Sequence, residues 1–310
     1  MRLGLINQLH GRPDGPVPAP NWKSISDRAT AAEAAGFDMF VFEDALLYRG
    51  EESTDGAWES VAVAAALAAT TSRIDLGQSV VNSPYRPPAM TAKIAETIDE
   101  ISGGRFVLGI GAGNSPDSDY EAFGIPTDKR FSRFAEAIQI IHGLLKTGSF
   151  DFEGEFYSVK RAELVLRGPR KHGPPINIAA GSPKMLTLAA RYGDAWNWWG
   201  WDETLEQIKV RLTPIIDLLE RACEGEGRDP ATLARAFDLY TVVPEMFRSR
   251  IGSAEGLKVE QPVTGTSEEI AEFILSLGEL GFEEVRCDLW PKETAAVEAM
   301  APVVKLVHFG

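Results

Sequence analysis

The residues of this chain best suited to chemistry sit in short stretches that each follow a run of β-branched or aromatic residues. The first is Glu43-Asp44, directly after Met39 to Phe42. A carboxylate at the end of a buried strand can act as acid or base once burial raises its pKa. The plain alternative is an acidic loop facing water. The second is Gly181-Ser182, after Ile176 to Ala180. A helix start offers unpaired N–H groups and a positive dipole end to a phosphate, and Ser182 would add a hydroxyl. The same serine could simply cap the helix. The third is GIGAGN, Gly109 to Asn114. It is a weak match to a dinucleotide-binding turn, because a third glycine is missing from the required place and a long polar loop intervenes before the next helix. Without Cβ atoms, these glycines instead let a flat ring or a phosphate come close to the backbone.

Trp196, Trp198, Trp199 and Trp201 follow one another closely. Strand residues alternate, so Trp196 and Trp198 share a face. The expectation is that this face is the interior or mouth of the fold, an aromatic wall for a flat cofactor or an apolar substrate. Packing is the alternative. The histidines, His10, His142, His172 and His308, show neither HxH nor HExxH spacing, which speaks against a metal hydrolase, and no metal site is expected. There is no GxSxG nucleophile elbow.

These stretches are held by strands and helices that alternate along the whole chain. The strands expected are Arg2 to Asn7, Met39 to Phe42, Ile74 to Val81, Arg105 to Gly111, Ile176 to Ala180, Ala195 to Trp198, Ala236 to Val243 and Glu284 to Leu289. Helices fall between them. One starts near Ser24 or Ser26 and stops at Gly36, and another runs from about Ala57 to Thr70. A third opens at Pro88 and carries Met90, Ile94, Ile98 and Ile101 as an expected buried stripe. Phe131, Phe134, Ile138, Ile141 and Leu145 mark a helix packed on a sheet, and Thr266 to Glu269 is a capping box. FDFEGEFYSV reads as a surface hairpin around Glu153-Gly154, and 244–265 as a lid or insertion after the seventh strand. Eight strands favour a closed (β/α)8 TIM barrel, one domain over 1–310, above a doubly wound open sheet.

Composition narrows the partners. A formal net charge of −14 argues against nucleic acid and anionic membranes, which select basic surfaces. No secretory leader or membrane span is legible, and two distant cysteines, Cys223 and Cys287, form no CxxC motif. A cytoplasmic protein with reduced thiols is expected.

AKIAETIDEISGGRFVLGIGAG (Ala92 to Gly113), YEAFGIPTDKRFSRFAEAIQII and PPINIAAGSPKMLTLAARYGDAWNWW (Pro174 to Trp199) resemble the luciferase-like family of flavin- and deazaflavin-dependent oxidoreductases. The resemblance covers most of Arg2 to Trp199. It implies a flavin-type cofactor at the C-terminal ends of the barrel strands. Ser79-Val80 matches a bulge where the family often has a non-prolyl cis peptide behind the ring, with Asn82 close by. Gly111, Gly113 and Asn114 match the strand end that approaches the cofactor, and Gly181 and Ser182 the phosphate turn. Glu43 matches an acidic position common in the family, whereas Asp44 stands where many members carry a catalytic histidine. Ala112 replaces the basic residue of luciferases proper, which speaks against light emission. SPYRPPAMTAK, with Arg86, reads closer to deazaflavin-using members. The expected activity is hydride transfer to or from a small organic substrate with coenzyme F-420. Glu43 and Asp44 would be the acid–base pair, Asp44 nearer substrate. The alternatives are an FMN monooxygenase fed by a separate reductase and a flavin-binding protein without catalysis. A homodimer is compatible with either.

Overall fold

The computed structural model describes residues 1–310 except 13–18, 50–52, 114–117, 127, 201 and 248–258, and the side chains of 118 and 119. In chain order the strands are β1 (Arg2–Asn7), β2 (His10–Gly11), β3 (Met39–Phe42), β4 (Leu47–Arg49), β5 (Thr54–Ala57), β6 (Asp75–Gln78), β7 (Val81–Asn82), β8 (Phe106–Gly111), β9 (Ser149–Glu153), β10 (Ser158–Glu163), β11 (Ile176–Ala179), β12 (Ala195–Gly200), β13 (Ala234–Val242) and β14 (Glu284–Trp290). The helices are α1 (Trp22–Ala35), α2 (Ser60–Thr70), α3 (Pro88–Ser102), α4 (Ser118–Ala122), α5 (Arg130–Thr147), α6 (Pro183–Tyr192), α7 (Leu205–Gly225), α8 (Ser267–Ser276), α9 (Thr294–Ala299) and α10 (Ala301–Phe309).

Eight parallel strand positions close into a barrel: β1, β3, β6 with its continuation β7, β8, β11, β12, β13 and β14. Ile176, Asn177 and Ile178 pair with Leu108, Gly109 and Ile110, which seals the ring between β8 and β11. The eight-strand reading of the sequence therefore holds. What it did not anticipate is a three-stranded antiparallel sheet, β2-β5-β4, beside the mouth of the barrel. The hairpin appears as β9 paired with β10. Half of the expected insertion at 244–265, residues 248–258, lies outside the described residues, as do Asn114 and Trp201.

Local chemistry explains the helix boundaries. Asn21 caps α1 in a capping box with Ser24, so the helix begins at Trp22, and Gly36 ends it in the left-handed conformation. Glu59 accepts from Ala62 N and starts α2 at Ser60, three residues after the expected Ala57. The Thr266–Glu269 box is formed.

The stripe expected on α3 is corrected. Ile98 is buried, but Met90 and Ile101 are exposed, 48% and 44%. The inward face is instead Thr91, Ala92, Ala95, Glu96, Asp99 and Ser102. Its two carboxylates tolerate burial because Arg167 meets Glu96 at 2.6 Å and Arg170 pairs with Asp99. Periodicity marked the helix and missed its orientation.

The main apolar core lies between barrel and helices. Inside the barrel the two halves differ. Ile6, Met39, Val41 and Val107 form a separate apolar cluster, whereas Asn177, Asn197, Asp238 and Arg286 are buried polar residues of β11 to β14. No described helix is long and apolar enough to cross a membrane.

Candidate active site

A cleft of about 490 Å³ opens at the C-terminal ends of the barrel strands, the face where barrels of this kind carry their sites. Its lining comes from Glu43 and Asp44 after β3, Tyr48 on β4, Ser79 and Val80 between β6 and β7, Asn82 on β7, and Gly111 to Gly113 at the end of β8. Ala179 on β11, Met185 on α6, Asn197 and Trp199 on β12, and Asp238 on β13 complete it.

Glu43 and Asp44 are neighbours with opposite surroundings. Glu43 Oε1 accepts from Leu9 N at 2.6 Å, His10 N at 3.0 Å and His10 Nδ1 at 2.8 Å. Its other oxygen, Oε2, has no protein partner among the described residues, and the side chain borders the cleft. The imidazole of His10 lies against the Tyr48 ring, centroids 4.3 Å apart. Burial opposes a charge on His10, but the hydrogen bond and charge of Glu43, aided by Asp55 and opposed by Lys292, raise its pKa above the usual 6.5.

Asp44 is caged. Arg86 grips both of its oxygens, at 2.7 and 3.0 Å, Ser60 Oγ donates to Oδ1 at 2.7 Å, and Asn82 N donates to Oδ2 at 3.1 Å. The Asn82 amide also donates to the Asp44 carbonyl, and Arg86 reaches on to Glu59. The carboxylate is 1% exposed. Bidentate charge-assisted bonds of this kind fix the geometry of the group.

Between β6 and β7 the Ser79–Val80 peptide is cis. Ser79 Oγ lies 2.7 Å from Asp238 Oδ2 and 3.1 Å from Asn197 Oδ1. This bulge explains a glycine of β8: a Cβ on Gly109 would sit 1.8 Å from the Gln78 carbonyl oxygen. Gly113 (φ +90°) is in the left-handed region, and a Cβ there would lie 2.5 Å from Tyr120 Oη. Gly109 thus admits neighbouring backbone, while Gly111 and Gly113 line the cleft. Asp238 is buried beside Arg286, whose Nε stands 2.7 Å from Oδ1. Burial raises the pKa of Asp238, with Arg286 opposing.

Gly181 and Ser182 form an exposed turn at the start of α6. Ser182 Oγ accepts from Met185 N at 3.4 Å as the N-cap. Met185, one turn into the helix, lines the cleft, whereas Gly181 and Ser182 are not among its lining residues. A Cβ on Gly181 would meet the Trp198 ring at 2.9 Å.

The aromatic wall expected from Trp196 and Trp198 is corrected. Trp196 is fully buried, donates to the Ala180 carbonyl at 2.8 Å and stacks on Phe282 outside the barrel. Trp198 packs against Trp196 and Trp199. Alternation along β12 carries Asn197 and Trp199 inward instead, and Trp199 is the indole at the cleft. Sequence reading also missed His10, Tyr48 and Asp238. His10 follows β1 by three positions, and Asp238 interrupts an apolar strand, which was the available signal for each.

The family model described as "Luciferase-like monooxygenase" matches residues 1–246. An F420-dependent glucose-6-phosphate dehydrogenase of Mycolicibacterium gilvum is 28% identical over 299 residues, 93% of this chain and 85% of that protein. A 4-hydroxyprotoasukamycin monooxygenase of Streptomyces nodosus subsp. asukaensis is 38% identical over 170 residues, 52% of this chain and 44% of that protein. A solved F420-dependent secondary alcohol dehydrogenase, in complex with an F420-acetone adduct, superposes with a TM-score of 0.79 at 17% identity, covering 99% of this chain and 98% of its own. That last likeness is one of fold.

Proposed function

The chain belongs to the luciferase-like monooxygenase family, and from that premise we propose that it is a deazaflavin (F-420)-dependent oxidoreductase acting on a small organic substrate. The observation that carries the reading is the half-engaged Glu43: one oxygen saturated by three donors, the other open to the cleft. Hydride exchange between a carbon centre and a ring needs a group that takes or gives the matching proton, and Glu43 Oε2 is suited to it. His10 holds the carboxylate in place. Asp44, with every oxygen engaged, anchors Asn82 and Arg86 behind it.

The cleft fits a flat, phosphate-bearing group. Val80, Asn82 and Gly111 to Gly113 would frame a ring, and the α6 N-terminus with Gly181 and Ser182 would take a phosphate. When bound, the cofactor supplies the hydride-accepting carbon. Tyr48 and Trp199 would shield the reacting atoms from water. The favoured cofactor draws on F420-dependent proteins similar to this chain.

The second reading, an FMN monooxygenase supplied by a separate reductase, draws on the family description and the monooxygenase relative. Titrating the protein with F-420 and with FMN, then following turnover in air and under nitrogen, separates the two. F-420 binding with turnover under nitrogen is expected. An absolute need for oxygen, with gas label in the product, would transfer the assignment to FMN.

A further inference from the structure

We propose that Asp238 carries a proton on Oδ2 at the floor of the cleft and that the Ser79 hydroxyl relays it to a bound ligand. The argument begins with a count of hydrogens. Ser79 Oγ stands within bonding distance of two oxygens, Asp238 Oδ2 at 2.7 Å and Asn197 Oδ1 at 3.1 Å. A hydroxyl has one hydrogen to give. Asn197 presents its oxygen to Ser79 because its Nδ2 donates to the Trp198 carbonyl at 3.0 Å. Turning that amide over would set two oxygens against each other. Ser79 therefore donates to Asn197, and the hydrogen in the shorter contact comes from Asp238.

The neighbouring arginine agrees with this. Arg286 Nε is 2.7 Å from Asp238 Oδ1, yet none of its three nitrogens, nor Oδ1, makes a hydrogen bond among the described residues. An ionised buried carboxylate draws a guanidinium into aligned, paired bonds, as Asp44 does with Arg86 in the same molecule. Asp238 has not done so. Glu284, with Oε1 3.6 Å from Arg286 Nε, shares the arginine's charge. Burial of the carboxyl favours its neutral form and the charge of Glu284 adds to this, while Arg286 and the Ser79 contact oppose it.

Delivery is a two-proton shift with no change in electron count. The Ser79 hydroxyl turns from Asn197 Oδ1 to an acceptor atom of the ligand, and its proton moves there as the Asp238 proton moves to Ser79 Oγ. An O–H or N–H bond forms on the ligand and the Asp238 O–H bond breaks. The carboxylate left behind faces Arg286, which then matches its charge. Ser79 and Asp238 both border the cleft, so the store lies one hydroxyl from the ligand. Only the destination of the proton rests on the oxidoreductase reading.

Asparagine mimics a protonated aspartic acid, with Nδ2 donating to Ser79 Oγ. Asp238→Asn in the full chain should leave the melting temperature within about 2 °C of wild type. Infrared spectra of the wild type at neutral pH should show a protonated-carboxyl band that shifts in heavy water and is missing from Asp238→Asn. A fall of several degrees, failure of the variant to fold, or a wild-type spectrum without that band overturns the proposal, since each marks Asp238 as the ionised partner of Arg286. These readouts need no cofactor or substrate, so their failure is separate from a wrong cofactor assignment. For the relay, Ser79→Ala should keep the band and lower kcat about tenfold with KM unchanged. Unchanged kcat overturns the relay.

Discussion

Two rims of the same cleft are built in opposite ways. The rim after β3 is stitched together from distant segments: Glu43 is met by Leu9 and His10, and Asp44 by Ser60, Asn82 and Arg86. The rim after β11 is almost wholly local, a turn whose serine caps the helix that follows it. On the proposed function, the difference follows from the task each chemistry sets. A proton-exchanging carboxylate needs an environment set to within a fraction of an ångström by other chain segments, because its affinity for a proton depends on its partners. A helix N-terminus binds an anion through its own backbone N–H groups and dipole, and needs only to be uncovered. One rim is therefore fragile and tunable, the other robust.

The largest test of that contrast is Asp44→Asn. It leaves Arg86 with one exposed carboxylate, Glu59, in place of two. Breaking a buried pair typically costs about 3–5 kcal/mol, so urea unfolding at pH 7 should show a loss of about 3 kcal/mol. Wild-type stability with turnover lost would instead make Asp44 a chemical group and undo the distinction drawn between it and Glu43. Next in size is Ser182→Asp, which keeps a competent cap but sets a negative charge where a phosphate would lie. Cofactor affinity should fall about tenfold, or about 1.4 kcal/mol, with stability unchanged. Equal affinity in a fluorescence titration would remove this rim from the binding site.

The smallest effect concerns the pair His10–Glu43. The folded pKa of His10 is raised above its usual 6.5, so the pair's contribution to stability is full below that value. It fades as pH rises through the folded pKa. Wild type should exceed His10→Gln by about 1 kcal/mol at pH 5.5 and by less at pH 8.5. A gap that widened with pH would show the imidazole to be held neutral. Glu43→Gln should also lower the His10 titration midpoint followed by proton NMR.

Much of the architecture is legible in the order of residues, and the reason is range. Alternation of apolar residues, glycine stops and capping boxes such as Thr266–Glu269 act over four residues or fewer. They mark eight barrel strands and the turn at Gly181-Ser182. The same short range explains the misreadings. Periodicity gives a strand two faces without saying which is inside: the face of Trp196 and Trp198 is the one expected at the mouth, but Trp199 reaches it. On α3 a row of isoleucines conceals an inward face carrying Glu96 and Asp99, whose arginines come from residues 167 and 170. The roles of Glu43 and Asp44 are not separable from sequence either, because both are carboxylates at a strand end. Their partners lie 33 and 42 residues away, and Ser79 meets Asp238 across 159. The order of residues marks the barrel strands and the helix start at Ser182 through forces that act between near neighbours. Only closure of the barrel decided which carboxylate is caged and which keeps a free oxygen, since electrostatic environment is a property of the residues brought together and not of the residue itself.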